Sequence, residues 1–305
     1  MATPKIKELE KIPNHSIGII SLIVILTIGI TVIIASHKLA PSPVKTMSSS
    51  HLNQTQPTIA TTDPTKTPIR PTYDSKGNPP TALGLVMKTR AFDTEPSKVV
   101  YITIDDGPYP QNTPHLLEVL KNENVKATFF DVGKQIEKYP WLLKAEYEQG
   151  HSIGNHTYSH DYNSLYKSPD TFLADIQKND NLIFSLLGIH TKIIRAPGGT
   201  SCFNIDYYNS LDANDYMAFD WNMDTKDTEG ELSIQQIVGN VDKQIGHKHK
   251  VILLMHDLPN KSSSANALPL IISHLKEKGY SFGTLSPKIM PITFPEGFYK
   301  AGAHS

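Results

Sequence analysis

The chain has 305 residues, 39% of them hydrophobic and 19% charged, with a formal net charge of −1. That length suffices for a sizeable core in one large or two small domains, and a near-neutral chain without a basic stripe excludes nucleic acid as an expected partner. The one cysteine, Cys202, excludes an internal disulfide and any cysteine-built zinc site.

The first element is apolar. Ile17 to Ala35 is a run of 19 residues without a charge. At about 1.5 Å per residue it covers a hydrocarbon core of about 30 Å, and apolarity on every face argues against a half-exposed core helix. A cleaved signal peptide is the rival reading, but its apolar region runs about 7–15 residues and no A-x-A site follows Ala35. The expectation is an uncleaved transmembrane helix over 17–35. Lys5, Lys7 and Lys11 precede it, and Lys38 and Lys45 follow it. This slight positive-inside bias places residues 1–16 in the cytoplasm. The expected location is the cell membrane, single-pass, with the remainder of the chain extracytoplasmic.

Residues 36–80 are rich in Pro, Thr and Ser, with Tyr73 as the only aromatic ring of a Phe, Tyr or Trp. Such a stretch buries too little apolar surface to offset the ordering of its backbone, and it reads as a disordered, extended linker. A lead-in segment, 81–96, follows. The globular pattern occupies 97–287, and 288–305 reads as a C-terminal tail.

Within 97–287, short β-branched runs at 99–104, 127–132, 151–155, 192–196, 216–221, 251–256 and 280–285 alternate with helix-like stretches at 113–122, 135–149, 169–187, 204–213, 233–246 and 264–278. Alternation of this kind implies parallel strands with crossover helices. The expected fold class is α/β, a distorted (β/α) barrel of about seven parallel strands, although an open doubly wound sheet shows the same alternation.

Reactive side chains cluster just after the apolar runs: Asp105 and Asp106, His156, Arg195, the segment 220–227, and His256. In a βα barrel these strand ends converge on one face. His156 and His160 are four apart and fall on one side of a helical turn, a spacing at which imidazoles chelate a divalent metal. Standing alone among 13 histidines the pair reads equally well as structural. Asp106 adds a hard oxygen ligand, and three protein ligands leave a fourth position open, as in catalytic zinc sites. Asp105 and Asp106 precede Gly107-Pro108 and could form nothing more than a turn. In the functional reading one carboxylate binds metal and its neighbour accepts a proton from the attacking water.

Five segments in order, ITIDDGP (102–108), HTYSH (156–160), RAPGG (195–199), DWNMDTKD (220–227) and LLMH (253–256), resemble the motifs of the polysaccharide deacetylase family, also called the NodB homology family or carbohydrate esterase family 4. The resemblance covers roughly 97–287. It implies that Asp105 is the general base, that Asp106, His156 and His160 bind one divalent metal ion (Zn2+ expected, Co2+ or another divalent ion as alternatives), and that Arg195 positions Asp105. It further implies that His256 is the general acid, oriented by Asp227, that a backbone N–H at Gly198 stabilises the oxyanion, and that Leu254 packs near the acetyl methyl. Relatives often carry tyrosine where Gly198 stands and tryptophan where Thr228 follows Asp227, so an aromatic wall for a sugar ring is missing at Thr228. Trp141 and Trp221 read as core residues, and Cys202 as inert packing.

The implied function is metal-dependent hydrolysis of N-acetyl groups on an amino-sugar polysaccharide, with peptidoglycan as the expected substrate and no protein partner indicated. A chitooligosaccharide deacetylase, an O-acetyl xylan esterase and a non-catalytic glycan-binding relative are the alternatives. The anchor at 17–35 and the linker at 36–80 generate the first prediction. Protease added to intact cells or spheroplasts should cut the linker and release a soluble, active fragment, detected by immunoblot and acetate assay. Complete protection of the domain reverses the orientation.

Overall fold

The computed structural model describes residues 92–294 and, before them, two short strands, β1 (Ile69–Arg70) and β2 (Leu85–Val86), which pair antiparallel. Backbone pairing therefore reaches into the segment expected to be a continuous extended linker. The expected transmembrane helix over 17–35 and the N-terminal segment 1–16 lie outside the described residues. Among the described residues no helix is long and apolar enough to cross a membrane.

The main sheet contains β3 (Val99–Asp105), β4 (Thr128–Asp131), β5 (Ser152–Asn155), β6 (Ile193–Ile194), β7 (Met217–Ala218), β8 (Met223–Asp224), β9 (Lys250–His256) and β10 (Ser281–Gly283). All of its pairings are parallel, in the order β7-β6-β5-β4-β3-β9-β8, with β10 beside Val99–Tyr101 at the start of β3. The edge strands β7 and β8 are neighbours in sequence, and the chain crosses from one edge to the other within 219–222. The sheet is thus curled into an open barrel, as the strand–helix alternation predicts. The run 216–221 divides because Asp220 and Trp221 turn inward, where Asp220 accepts from Thr200 N at 3.0 Å and Trp221 packs edge-on against Phe294.

The helices are α1 (Thr113–Asn122), α2 (Gly133–Lys138), α3 (Pro140–Glu148), α4 (Tyr162–Leu165), α5 (Pro169–Leu187), α6 (Ile205–Ala213), α7 (Ile234–Ile245) and α8 (Ser262–Glu277). The single helix expected over 135–149 is two helices, broken at Tyr139. Pro140 disfavours helical backbone at the residue before it, and Tyr139 adopts φ −132° and ψ 52°. Capping boxes at Ser168/Thr171 and Ser233/Gln236 start α5 and α7, and satisfy donors that a helix start leaves unpaired.

The pleat of β3 sorts its residues. Val100, Ile102 and Ile104 face outward into the core beneath α1, α7 and α8, while Val99 and Tyr101 face the barrel interior with Phe130, Trp221, Ile252 and Leu254. Period-two alternation puts Thr103 and Asp105 on that interior face too. In β9, Ile252 and Leu254 are likewise interior, which carries His256 to the same side. Register places Asp105 directly opposite His256.

The domain is wider than 97–287. Phe92 packs on the interior cluster, Glu95 pairs with Lys250 at 2.5 Å and Asp93 N–H donates to Lys288 O. At the other end Ile292 and Phe294 are buried against Trp221, and Phe294 N–H donates to Asp220. The lead-in and the start of the tail therefore close the bottom and one edge of the barrel.

Candidate active site

Arg195 leaves β6 and enters the barrel with no solvent exposure. Its Nη1 donates to Asp105 Oδ1 at 2.8 Å and to Thr103 Oγ1 at 2.6 Å, its Nε to Phe219 O at 3.0 Å and its Nη2 to Asp220 O at 3.2 Å. Phe130 lies beneath the guanidinium, 4.4 Å from its ring centre. That ring fits only because residue 154 is glycine, where a Cβ would stand 2.3 Å from Phe130 Cδ1. Asp105, 2% exposed, is thus an anchored carboxylate with Oδ2 left to face the mouth.

Asp106 leaves the strand with φ 76°. Its Oδ1 lies 3.4 Å from His156 Nε2 and 3.2 Å from His160 Nε2. His156 Nδ1 is committed to Arg195 O at 2.9 Å, which fixes the ring and turns Nε2 toward Asp106. Burial alone raises the Asp106 carboxyl, but hydrogen bonds from His156 and His160 outweigh it and hold its pKa well below the usual range. One ligand atom from each of Asp106, His156 and His160 lies within 4.8 Å of the others. Two imidazole nitrogens and a carboxylate oxygen with no lysine or arginine bonded to that carboxylate fit a divalent cation.

The segment 156–160 is not the helical turn expected from its spacing. It is an irregular loop in which Thr157 and His160 have φ 66° and 52°. Asp175 Oδ1 accepts from Tyr158 N at 2.6 Å and Ser159 N at 2.9 Å, and Asn179 Nδ2 donates to Thr157 O at 3.0 Å. These bonds from α5 satisfy the loop backbone in place of helical ones, and the imidazoles converge because the loop curls.

Across the mouth, Asp227 clamps His256. Its Oδ1 is 2.7 Å from His256 Nδ1, and its Oδ2 accepts from His256 N at 2.9 Å. Burial lowers the imidazole pKa, but the Asp227 charge and hydrogen bond, then the charges of Asp106 and Asp105, lift it to about 10. His256 is therefore an imidazolium at neutral pH with Nε2–H free of Asp227. Leu254, 4% exposed, lies one pleat below it. Gly198 has φ 74°, and its N–H has no hydrogen-bond partner among the described residues. An uncommitted donor is what an oxyanion site requires.

The structure also shows what the motifs did not. Thr103 and Phe130 complete the Arg195 cage; alternation alone predicts an inward Thr103, but nothing local marks it as a partner. Trp221 is core as expected, whereas Trp141 is 57% exposed. Cys202, expected to pack inside, is exposed. Behind the loop at Gly107 lie three buried acids, Asp131, Glu146 and Asp257. A Cβ on Gly107 would meet Asp257 Oδ2 at 2.9 Å and Asp131 Oδ1 at 3.2 Å. No protein donor reaches either oxygen of Asp131 or Glu146. Burial, then the charge of Asp131, pushes Glu146 well above the usual range, and burial raises Asp131 to about 7. Burial likewise raises Asp257, to about 7.

Comparison with known proteins agrees with this geometry. The polysaccharide deacetylase family profile matches residues 92–218. A peptidoglycan-N-acetylglucosamine deacetylase of Bacillus cereus is 38% identical over 189 residues, 61% of this chain and 66% of that one. Another protein of the same name and organism is 31% identical over 196 residues, 63% of this chain and 70% of that one. Among solved structures, the polysaccharide deacetylase Bc1974 from Bacillus cereus superposes with a TM-score of 0.61 at 32% identity, covering 65% of this chain and 97% of that chain.

Two predictions follow from the site. His160→Ala should leave a folded domain with lost metal, measured as metal stoichiometry; undiminished occupancy refutes the ligand set. The acid pair predicts a pH effect of definite sign. Unfolded carboxyls release their protons near pH ~4, while the native pair keeps one to higher pH, so the native state binds more protons and stability falls as pH rises. At ~1.36 kcal/mol per pH unit for one proton, thermal scans between roughly pH 5 and pH 8 should show the melting temperature falling. Glu146→Gln removes one of the two raised carboxyls at nearly constant volume and should flatten the trend; an unchanged slope refutes the assignment.

Proposed function

This chain belongs to the polysaccharide deacetylase family, and on that premise we propose that it removes N-acetyl groups from cell-wall peptidoglycan, releasing acetate. As a family member it is a deacetylating hydrolase. The observation that carries the finer reading is the opposition of two proton-transfer groups on paired strands. Asp105 and His256 face each other across β3 and β9, with Asp106, His156 and His160 gathered at the same mouth.

Asp105 acts as the base. Arg195 occupies Oδ1, which leaves Oδ2 to accept the proton of the attacking water. Asp106, His156 and His160 would hold a divalent ion, with Zn2+ the proposed metal, and such an ion would supply Lewis-acid polarisation of the acetyl carbonyl. The Gly198 N–H donates to the oxygen that becomes negative. His256, charged and fixed by Asp227, gives its Nε2 proton to the departing sugar amine, and Leu254 provides an apolar floor for the acetyl methyl. A side chain that only bound glycan would need neither a buried base nor a buried acid held in opposite protonation states.

The peptidoglycan assignment is supported by the names of the Bacillus cereus relatives and by the uncharged segment at 17–35 with its Pro-rich follow-on. In this reading the domain is tethered outside the cell membrane. Such a tether would confine the domain to the layer of wall glycan next to the membrane.

Incubation of the full chain with purified peptidoglycan, chitin oligomers and acetylxylan, with acetate quantified from each, tests the reading. Peptidoglycan should be the best substrate, and both a metal-stripped sample and Asp105→Asn should lose most turnover, by ~10²–10⁴-fold for the missing base. Faster release from acetylxylan than from both N-acetylated polymers overturns the assignment. A preference for chitin oligomers keeps the chemistry and removes the wall.

A further inference from the structure

The chain has two tryptophans, and they are used in opposite ways. Trp221 is 6% exposed inside the barrel; Trp141 is 57% exposed, the highest value among the described large apolar side chains that face water. Indole is a large apolar surface to leave in solvent, and its place in the fold matters. Trp141 is the second residue of α3. β4 ends at Asp131, and only the short α2 and Tyr139 separate that strand end from Trp141, so the start of α3 lies on the catalytic face.

The indole does not stand alone. Tyr139 stands edge-on to Trp141, with ring centres 5.6 Å apart and planes at 82°. Tyr109 lies 6.3 Å beyond Tyr139 with planes at 50°. Tyr109 follows Asp106 by three residues, and burial, then the charges of Asp106 and Asp257, raise its phenol above the ordinary value. Its backbone N–H donates to Thr113 Oγ1 at 2.7 Å, which pins the loop to α1. Tyr109, Tyr139 and Trp141 thus form a chain of ring contacts that begins three residues after Asp106, while residue 228, beside Asp227, is a threonine and offers no ring.

We propose that Tyr109, Tyr139 and Trp141 form a platform for the sugar rings that flank the reacting residue of a glycan chain. This rests on the glycan-deacetylase reading above and adds where the polymer lies. A pyranose ring presents C–H groups on its faces and hydroxyls on its rim. Aromatic faces cover the first, and phenol O–H groups pair with the second, the amphipathic contact for which Tyr and Trp are suited. Rigid rings also lose little conformational entropy on binding. A substrate whose acetyl group alone enters the mouth leaves the neighbouring sugars outside it, and these rings offer them one aromatic surface, separate from Tyr162, which is 40% exposed and 5.6 Å from the His160 ring.

The platform is separable from the chemistry. Kinetics of the full chain on short and long N-acetylglucosamine oligomers should show KM falling with length. Trp141→Ala should raise KM on the long oligomers by about tenfold, the scale of an aromatic anchor lost. It should leave kcat, and the hydrolysis of a small aryl acetate, unchanged, and Trp141→Phe should recover most of the loss. Binding read independently, as a change in the exposed Trp141 fluorescence on adding long oligomers, should vanish in Trp141→Phe, which leaves only the buried Trp221. An unaltered length dependence in Trp141→Ala, together with no fluorescence response in the parent chain, overturns the platform. A fluorescence response to long oligomers without acetate release supports the platform and instead removes the N-deacetylase reading on which it was built.

Discussion

A single buried cation holds both the barrel and the base. Arg195 has no exposed surface, so every hydrogen bond its guanidinium makes must come from protein. It finds acceptors on β3, at Thr103 and Asp105, and on the crossing between β7 and β8, at Phe219 and Asp220. Those two edge strands are not hydrogen-bonded to each other among the described residues. The guanidinium therefore spans the opening that the sheet leaves. A charge so deeply desolvated is tolerable only because Asp105 neutralises it and the carbonyls satisfy its remaining donors. Removing either partner would leave the other as an unpaired buried charge, which typically costs 3–5 kcal/mol. The group that anchors Asp105 is the one that spans the opening of the sheet.

The same logic sorts all the acids around the mouth. Asp105 has Arg195, Asp106 has His156 and His160, and Asp227 has His256. For Asp106 and Asp227 those partners outweigh desolvation and hold the carboxyl below the usual range. Asp131 and Glu146 have no such partner, and burial raises both. Asp131 and Asp105 end neighbouring strands, yet the pleat sends Asp105 into the barrel and Asp131 outward toward α3.

Much of this was legible in the chain because it depends on local repetition. Apolar runs separated by amphipathic stretches placed the parallel strands, and the reactive residues after them landed on one face. Asp105 and Arg195, Asp106 with His156 and His160, and Asp227 with His256 stand together at the strand ends. What was illegible depends on contacts between distant segments. The i, i+4 spacing of His156 and His160 suggests a helix, but Asp175 and Asn179 on α5 capture the loop backbone instead. Pro140 carried a readable break that the apolar pattern of 135–149 masked. Asp131 reads as an ordinary strand terminus and Glu146 as an ordinary helix-surface acid, since nothing in either local window reveals that they face each other. Trp141 likewise looks like core until the end of β4 is seen to deliver the start of α3 to the catalytic face.

The two halves of the site are built to different standards of rigidity, and the backbone shows it. Asp105 and His256 sit on ladder positions of β3 and β9, where parallel register fixes their separation. The metal-binding side chains sit on loops, and there the backbone is unusual. Asp106, Thr157 and His160 lie at positive φ, as does Lys226 just before Asp227. The other non-glycine residues of this kind, Asn124 and Asp215, follow the ends of α1 and α6, where Asn and Asp tolerate that conformation well. For Thr157 and Lys226 no such tolerance applies, and each carries a cost on the order of 1–3 kcal/mol. The hydrogen bonds that hold these turns come from side chains already buried in the framework: Asn155 Oδ1 accepts from Thr157 N at 2.9 Å, and Asp224 Oδ1 accepts from Lys226 N at 2.7 Å. Backbone strain is concentrated around Asp106, His156, His160 and Asp227 and is offset by side-chain bonds from the strands. Strand register fixes Asp105 opposite His256, and pinned turns fix the direction of the side chains beside them.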